Sequence, residues 1–168
     1  MPSFARVRRF QFAPVAGFAI EPESRTSQGD RLVKWLLDTN VLSELTKPSP
    51  CKGMLEWLEA NEPETAMSAI SIGEMIAGVN GLPEGKRGRE LERALTFLRE
   101  DYAGRILDFT EGAAAEWGRL VAMARANGRV LSVLDSQIEA TAIHFGLTVV
   151  TRNNSDFFHP VFNLWKLQ

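Results

Sequence analysis

Four acidic residues stand where a short apolar run gives way to a turn or to the start of a predicted helix. They are Asp38, Glu74, Asp135 and Asp156. This placement constrains the fold, because the junctions between strands and helices of a parallel α/β sheet meet at one edge of that sheet. Carboxylates brought together there repel one another unless a divalent cation neutralises them. The chain is therefore predicted to be an α/β domain with a metal site.

Strand-like and helix-like segments alternate along the chain. Short apolar or β-branched runs have the length of buried strands, and stretches with helical spacing of apolar residues separate them. The predicted strands lie at 35–37, 65–69, 105–109 and 147–151, with further extended segments at 130–133 and 161–167. Without internal repeats, this order predicts a three-layer α/β/α sandwich with a short, mostly parallel sheet.

A chain of 168 residues suits one domain with a sizeable core. Residues 1–33 differ from the rest because they lack sustained periodicity and end in a polar stretch. They are predicted to be a flexible leader or the product of a start site assigned too far upstream, although their basic, acid-poor beginning also suggests a transit peptide. The domain proper is expected to span residues 34–168.

Composition excludes several classes of protein. A net charge of −2 excludes a strongly basic protein that coats nucleic acid, although it allows a local basic patch. The single cysteine, Cys51, excludes a disulfide framework and fits a reducing cytoplasm. His144 and His159 offer little from which to build a zinc site or a histidine-based triad. No apolar run approaches the length of a membrane span, so a cytoplasmic location without membrane contact is expected.

Each acid also has a purely structural explanation. The Ser71-x-x-Glu74 segment has the spacing of a helix capping box, Asp38 can act as a simple cap, and Asp156 can close an Asx-turn. Their joint occurrence favours a metal site. Asp38 directly ends an apolar strand, and a carboxylate there suffers a desolvation cost unless it has a partner.

Carboxylates in this arrangement suit one kind of chemistry. Mg²⁺ and Mn²⁺ prefer hard oxygen ligands, keep several waters and commonly bridge a few carboxylates and a substrate phosphate. One or two such ions lower the pKa of a bound water and stabilise the leaving oxygen of a phosphodiester. No side-chain nucleophile is needed, which agrees with the lack of a serine, cysteine or histidine apparatus in this sequence.

Four sequence blocks resemble those of the PIN-domain ribonucleases. They are LLDTNVLSE (36–44), SAISIGE (68–74), VLDSQIEATA (133–142) and VVTRNNSDF (149–157). In combination and order they are most similar to the VapC and FitB group of bacterial toxins, and the resemblance runs from about Leu36 to the C-terminus. It implies a Mg²⁺- or Mn²⁺-dependent endoribonuclease that acts as the toxin of a toxin–antitoxin pair.

The resemblance also implies roles for individual residues. The acidic quartet that is catalytic and holds the metal would be Asp38, Glu74, Asp135 and Asp156, supported by the polar side chains of Asn40 and Thr151. The implied partners are an RNA substrate, a second copy of the chain and a cognate antitoxin, which together form a hetero-oligomer. The antitoxin is expected to extend a basic side chain towards the acids.

One position departs from the pattern of the group. Glu139 stands where the group usually has a small residue, one turn after Asp135 on the same helix face. It is expected to be a solvated side chain, with an additional outer acid of the metal site as the other interpretation.

Basic and apolar side chains outside the quartet allow further interpretations. Arg152 is a candidate for binding phosphate or for pairing with Asp156, whereas the basic residues of a charged helix are expected to be solvated rather than bound to RNA. Those basic residues are Lys86, Arg87, Arg89 and Arg93. Two helices are predicted to carry more apolar surface than a thin sheet covers alone, through Met54, Trp57 and Leu58 and through Leu91, Leu95 and Leu98.

Two other functions remain open from the sequence. The first is an RNA-processing nuclease with a housekeeping role on the same fold. The second is a non-catalytic module that binds metal through its acids for regulation.

Overall fold

The computed structural model describes residues 33–47, 49–158 and 165–166, with only the backbone described for Asn154 and for the last two residues. Apart from Val33, the predicted leader at 1–33 lies outside the described residues. Within the described part of the chain, no helix is both long enough and apolar enough to cross a lipid bilayer.

Strands and helices alternate through the described residues. The strands are β1 (Trp35–Leu37), β2 (Thr65–Ser68), β3 (Ile106–Leu107), β4 (Thr148–Thr151) and β5 (Trp165–Lys166). The helices are α1 (Thr39–Leu45), α2 (Lys52–Asn61), α3 (Ala69–Asn80), α4 (Lys86–Asp101), α5 (Glu111–Ala126) and α6 (Val133–Phe145). The extended segment predicted at 130–133 does not form a strand, and β5 lies within the segment predicted at 161–167.

The strands form one sheet in the order β3-β2-β1-β4-β5, and every described pair is parallel. Within the sheet, β2 and β3 lie on one side of β1, and β4 and β5 lie on its other side. The crevice between the carboxyl ends of β1 and β4 is therefore a topological switch point, the place where open α/β sheets bind ligands.

Side chains that alternate along each strand build two cores. Leu37, Met67 and Val150 face helices α1 to α4, whereas Leu36, Ala66 and Val149 face α6. Helix α5 packs on α6, and the Trp117 indole N–H donates a 3.0 Å hydrogen bond to Ser136 Oγ between them. These layers confirm the predicted α/β/α sandwich with a parallel sheet.

The predicted apolar surface lies elsewhere than expected. Met54, Leu58 and Leu95 are buried in the core between the sheet and helices α1 to α4, and Trp57 and Leu98 pack against it. The expectation that these helices carry more apolar surface than the sheet covers is therefore wrong. Exposed apolar side chains on α3 and α4 are instead those of Ile76 and Phe97. The helical spacing of the buried residues agrees with the prediction, but helices α1 to α4 bury more of these side chains than the spacing alone indicates.

A buried ion pair fixes the edge of the sheet. The Arg105 guanidinium pairs with the Glu62 carboxylate and also donates to the Glu62 and Thr65 carbonyl oxygens, at 2.6 and 3.0 Å. It lies over the Tyr102 ring, whose hydroxyl is 2.8 Å from Thr65 Oγ1. Burial raises the pKa of Tyr102 to about 12, so its hydroxyl stays protonated at physiological pH.

Candidate active site

Asp38 is placed by the end of β1. Its backbone N–H donates to the Val150 carbonyl at 3.0 Å, and its own carbonyl accepts the N–H groups of Val41 and Leu42 at the start of α1. Although Asp38 occupies the N-cap position, its side chain makes no capping bond. The simple capping interpretation is therefore wrong for this carboxylate, which accepts a hydrogen bond from Thr151 at 2.7 Å instead.

The Asp38 carboxyl is electrostatically unusual. It is only 3% exposed, and this burial raises its pKa to about 6. Hydrogen bonds from the Thr151 hydroxyl and the Thr39 backbone oppose that effect, whereas the charges of Asp135 and Glu74 add to it. Two of the other three predicted acids thus act on the ionisation of Asp38, and a nearby cation would favour its charged form.

The predicted supporting residues, Asn40 and Thr151, form a network behind Asp38. Asn40 Nδ2 donates to Thr151 Oγ1 at 3.0 Å, and Asn40 Oδ1 accepts the backbone N–H of Arg152 at 3.1 Å. Thr151 Oγ1 also accepts the backbone N–H of Asn153 at 3.0 Å. Because these bonds join α1 to the end of β4, they fix the position of Asp38 on both sides of the switch point.

Glu74 approaches the same place from α3. Ser68 caps that helix by accepting the Ser71 N–H at 2.9 Å, so Glu74 lies in the second turn and the predicted capping box is wrong. Thr39 Oγ1 donates a 2.6 Å hydrogen bond to Glu74 Oε2. Thr39 was not singled out from the sequence, although it directly follows Asp38.

The remaining two acids come from the start of α6 and from the segment after β4. Asp135 lies in the first turn of α6, and its backbone N–H donates to Ser132 Oγ at 3.5 Å. Asp156 Oδ1 accepts a 2.7 Å hydrogen bond from Asn153 Nδ2. The Asp156 N–H donates to the Asn153 backbone carbonyl at 3.4 Å, which is a backbone turn. The Asx-turn here is formed by Asn153, whose Oδ1 accepts the Ser155 N–H at 3.4 Å, so the prediction that Asp156 closes an Asx-turn is wrong.

All four acids line one open cleft of about 600 Å³ at the carboxyl ends of β1 and β4. The other side chains that line it are Thr39, Asn40, Ser43, Glu44, Lys47, Arg152 and Asn153. Thr151 is fully buried behind Asp38. Among the described residues, no three acidic, histidine or cysteine side chains stand close enough together to bind one ion directly. The carboxylate set still fits Mg²⁺, because this ion commonly keeps several waters and takes one or two protein carboxylates.

Glu139 is buried, so the prediction of a solvated side chain is wrong. It is 1% exposed, and Glu139 Oε2 accepts the backbone N–H of Phe158 at 3.0 Å. The segment that carries Asp156 folds back over this turn of α6 and covers the carboxylate. Arg129 binds the same segment, because it donates to the Ser155 carbonyl at 3.3 Å and lies over the Phe158 ring.

A buried carboxylate that the sequence did not single out holds two basic side chains at the cleft. Arg152 pairs with Glu44 and not, as one interpretation proposed, with Asp156. Lys47 Nζ donates to the same Glu44 oxygen at 2.5 Å. The signal was present in the sequence, because residues 40, 43, 44 and 47 have the spacing of one helix face and all four are polar.

The basic residues of α4 lie outside the cleft that the four acids line. Lys86, Arg87, Arg89 and Arg93 are exposed and do not line the cleft, and Lys86 lies 3.8 Å from Glu90 in an ion pair. The expected solvated helix face is confirmed.

The family model described as "PIN domain" matches residues 35–161. The chain belongs to the PIN-domain family. Among its relatives, the VapC ribonuclease Y4jK of Sinorhizobium fredii (strain NBRC 101917 / NGR234) is 38% identical over 124 residues, covering 73% of this chain and 89% of that protein. Toxin FitB of Neisseria gonorrhoeae (strain ATCC 700825 / FA 1090) is 38% identical over 135 residues, covering 77% and 97%.

Solved structures of the PIN-domain family superimpose on this chain. The crystal structure of FitAcB from Neisseria gonorrhoeae aligns with a TM-score of 0.67 and 36% identity, over 73% of this chain and 90% of that one. The crystal structure of DNA-bound VapBC from Salmonella typhimurium aligns with a TM-score of 0.69 and 25% identity, over 82% and 100%. The matches span most of the described PIN domain.

Proposed function

We propose that this chain is a divalent-metal-dependent endoribonuclease that acts as the toxin of a toxin–antitoxin pair. The observation that carries the proposal is the convergence of Asp38, Glu74, Asp135 and Asp156 on one cleft at the switch point of the sheet. The relatives named as a VapC ribonuclease and as toxin FitB support the same reaction class and the same role.

The four acids would hold the metal, with Asp38 at the buried centre of the group. Mg²⁺ or Mn²⁺ bound there would supply an activated water and would offset the negative charge of the phosphodiester. The chain itself keeps the acids in place: Thr151 donates to Asp38, Thr39 to Glu74 and Asn153 to Asp156. Cleavage would therefore proceed by hydrolysis without a covalent intermediate on the protein.

Cleavage of RNA by the purified protein tests the reaction. Incubation with total RNA and Mg²⁺ or Mn²⁺, followed by mapping of new RNA ends, is expected to reveal discrete cuts that EDTA prevents. Asp38→Asn and Asp135→Asn are expected to abolish them. Asp108→Asn, an exposed residue just after β3 that does not line the cleft, is the matched control and is expected to retain full activity.

Near wild-type, Mg²⁺-dependent cleavage by Asp38→Asn or Asp135→Asn would contradict the assigned site. A complete lack of cleavage by the folded wild-type protein, with Mg²⁺ binding retained, would favour the non-catalytic regulatory module.

Growth of a bacterial host tests the toxin role. Cytoplasmic expression of the wild-type chain is expected to arrest growth, and Asp38→Asn at a matched soluble level is expected to relieve the arrest. Equal growth of the two strains, together with cleavage in vitro, would favour a housekeeping RNA-processing nuclease.

The partners in this proposal are a second copy of the chain and a small antitoxin. Support comes from the relatives solved as FitAB and VapBC complexes and from the exposed Ile76 and Phe97 side chains on neighbouring helices. A basic antitoxin side chain in the cleft would neutralise the same carboxylates as the metal. Light scattering and thermal melts, with and without the product of the adjacent reading frame, are expected to reveal a dimer whose melting temperature rises on binding. A monomer whose melt ignores that product would contradict this part of the proposal.

A further inference from the structure

Three side chains beside the acids form a compact charged group at the rim of the cleft. Glu44 is buried, and one of its oxygens accepts from Lys47 and from Arg152. Its other oxygen accepts the backbone N–H of Cys51 at 3.2 Å. Both oxygens of the Glu44 carboxylate thus accept hydrogen bonds from protein groups, and the Lys47 and Arg152 cations lie next to each other.

The charge of this group is not balanced. Two cations share one carboxylate, which leaves a net charge of +1 beside four acids. Within the part of the chain that the structure describes, Glu44 is the side-chain partner seen for either cation, whereas an arginine has five N–H donors and a lysine three. The side chains of Lys47 and Arg152 remain 55% and 40% exposed, so their remaining donors are accessible to an anion.

A structural ion pair would need only one of these cations. Placing a second cation against the same oxygen brings two like charges together, a cost that the four acids lining the same cleft reduce. The planar guanidinium of Arg152 suits two oxygens of one phosphate, and the Lys47 ammonium adds a point charge. The exposed donors of both side chains therefore suit an incoming phosphate group.

The position of Lys47 and Arg152 indicates which phosphate of the RNA they would bind. Arg152 lies between Thr151, which holds Asp38, and Asn153, which holds Asp156, so a bound phosphate would lie next to the acids. We propose that Lys47 and Arg152, held in place by Glu44, form a subsite for an RNA phosphate adjacent to the one that is cleaved. This inference rests on the proposed nuclease function. It adds the residues that bind and position the polyanionic RNA at an acidic cleft.

The test compares Lys47→Gln, Arg152→Gln and the double variant on one defined single-stranded RNA. Matched controls are Lys34→Gln and Arg119→Gln, each of which removes a cation from an exposed ion pair away from the cleft. Each cleft variant is expected to raise KM about tenfold, the size of one charge-assisted hydrogen bond, with a smaller change in kcat. The slope of log affinity against log salt is expected to flatten by about 0.7 for each phosphate that a variant no longer binds.

A purely structural role would not change the salt slope. If Lys47 and Arg152 only join α1 to β4, the variants lower the melting temperature and leave both the slope and KM at the wild-type values. Arg152→Lys, which keeps the charge and loses the planar fork, is expected to retain the wild-type slope and to raise KM.

Binding of the same RNA to Asp38→Asn protein separates this inference from the proposed function. If the wild type does not cleave, but RNA binding still depends on Lys47 and Arg152, the nuclease proposal fails and the phosphate subsite stands. If the wild type cleaves while binding by the double variant is unchanged, the subsite is refuted and the nuclease stands. If the Asp38→Asn protein does not bind RNA, or binds it equally well with and without the Lys47 and Arg152 substitutions, the subsite is also refuted.

Discussion

Thr151 and Asp38 are far apart in the sequence, yet the Thr151 hydroxyl donates a 2.7 Å hydrogen bond to Asp38 Oδ2. The bond joins the ends of β4 and β1, which are neighbours in the sheet. It favours the charged form of a carboxyl group whose burial favours the neutral form. The balance between these two effects sets the pH at which Asp38 becomes available to a cation.

Thr151→Val should remove this donor while keeping the shape of the buried side chain. Without the bond, the pKa of Asp38 is expected to rise by about one unit from its value of about 6, in line with a hydrogen bond to a charged group. The Mg²⁺ concentration for half-maximal cleavage should then increase, and more so at pH 6 than at pH 8. Thr148→Val, at the other end of β4, is the control. Identical pH profiles for the two variants would contradict the role given to Thr151.

Asp38→Asn is expected to stabilise the metal-free protein at neutral pH. Because the folded pKa of Asp38 is about 6 and the unfolded value is about 3.9, the folded state binds the proton more tightly. The contribution of Asp38 to the stability of the wild type therefore falls as the pH rises from about 4 to about 6, by up to about 3 kcal/mol. The variant lacks this loss.

Denaturant melts in EDTA at pH 4 and pH 7 measure that difference. The gain in the free energy of unfolding from Asp38→Asn should appear at pH 7 and largely vanish at pH 4. Asp108→Asn should leave both values unchanged, because Asp108 is exposed. A gain from Asp38→Asn that is the same at pH 4 and pH 7 would refute the raised pKa.

The sequence predicted the layers of the fold and the residues that meet in the cleft, because both follow from local patterns. Short apolar strands and amphipathic helices specify a parallel sheet, and residues that follow parallel strands meet at one edge. Asp38 was identified from this pattern, and Thr151 from the resemblance to PIN-domain ribonucleases, without knowledge of any contact between them. The pattern does not determine which polar atoms form hydrogen bonds once the strands have assembled.

Besides the Asp38 cap and the Asp156 turn, three interpretations were wrong for that reason. Glu139 was expected in solvent, but the segment after Asp156 covers it, and that return of the chain leaves no signal in the helix pattern. Asp156 was considered as the partner of Arg152 because the two are close in sequence, whereas Glu44 reaches Arg152 from another element. Ser71 was expected to cap α3, but the true cap is Ser68, which ends the preceding strand.

Glu62→Gln should be strongly destabilising. The substitution leaves the Arg105 guanidinium buried without its counter-charge, and the expected loss is about 3 kcal/mol in the free energy of unfolding. Glu64→Gln removes one partner of the exposed pair with Lys34 and is expected to cost less than about 1 kcal/mol. Urea melts at pH 7 compare the two. Equal losses would mean that burial does not distinguish these ion pairs.

Glu139→Ala is expected to impair cleavage through the position of Asp156. The Glu139 carboxylate accepts the Phe158 N–H, and Arg129 binds the Ser155 carbonyl, so the two side chains fix the chain on both sides of Asp156 and Phe157. Loss of the carboxylate should increase hydrogen exchange at the Phe158 amide, raise the Mg²⁺ concentration needed for cleavage and lower kcat about tenfold, the effect of losing one hydrogen bond to a charged group.

Glu139→Gln keeps an oxygen that accepts the Phe158 N–H and is expected to recover most of that activity. Gln137→Ala, on the same helix, is the control for a loss of helix stability. A direct role for the Glu139 charge in binding metal would give a different pattern, with Glu139→Gln as inactive as Glu139→Ala. Wild-type kinetics for Glu139→Ala, together with faster exchange at Phe158, would show that the cleft tolerates movement of this segment and that Asp156 does not need it.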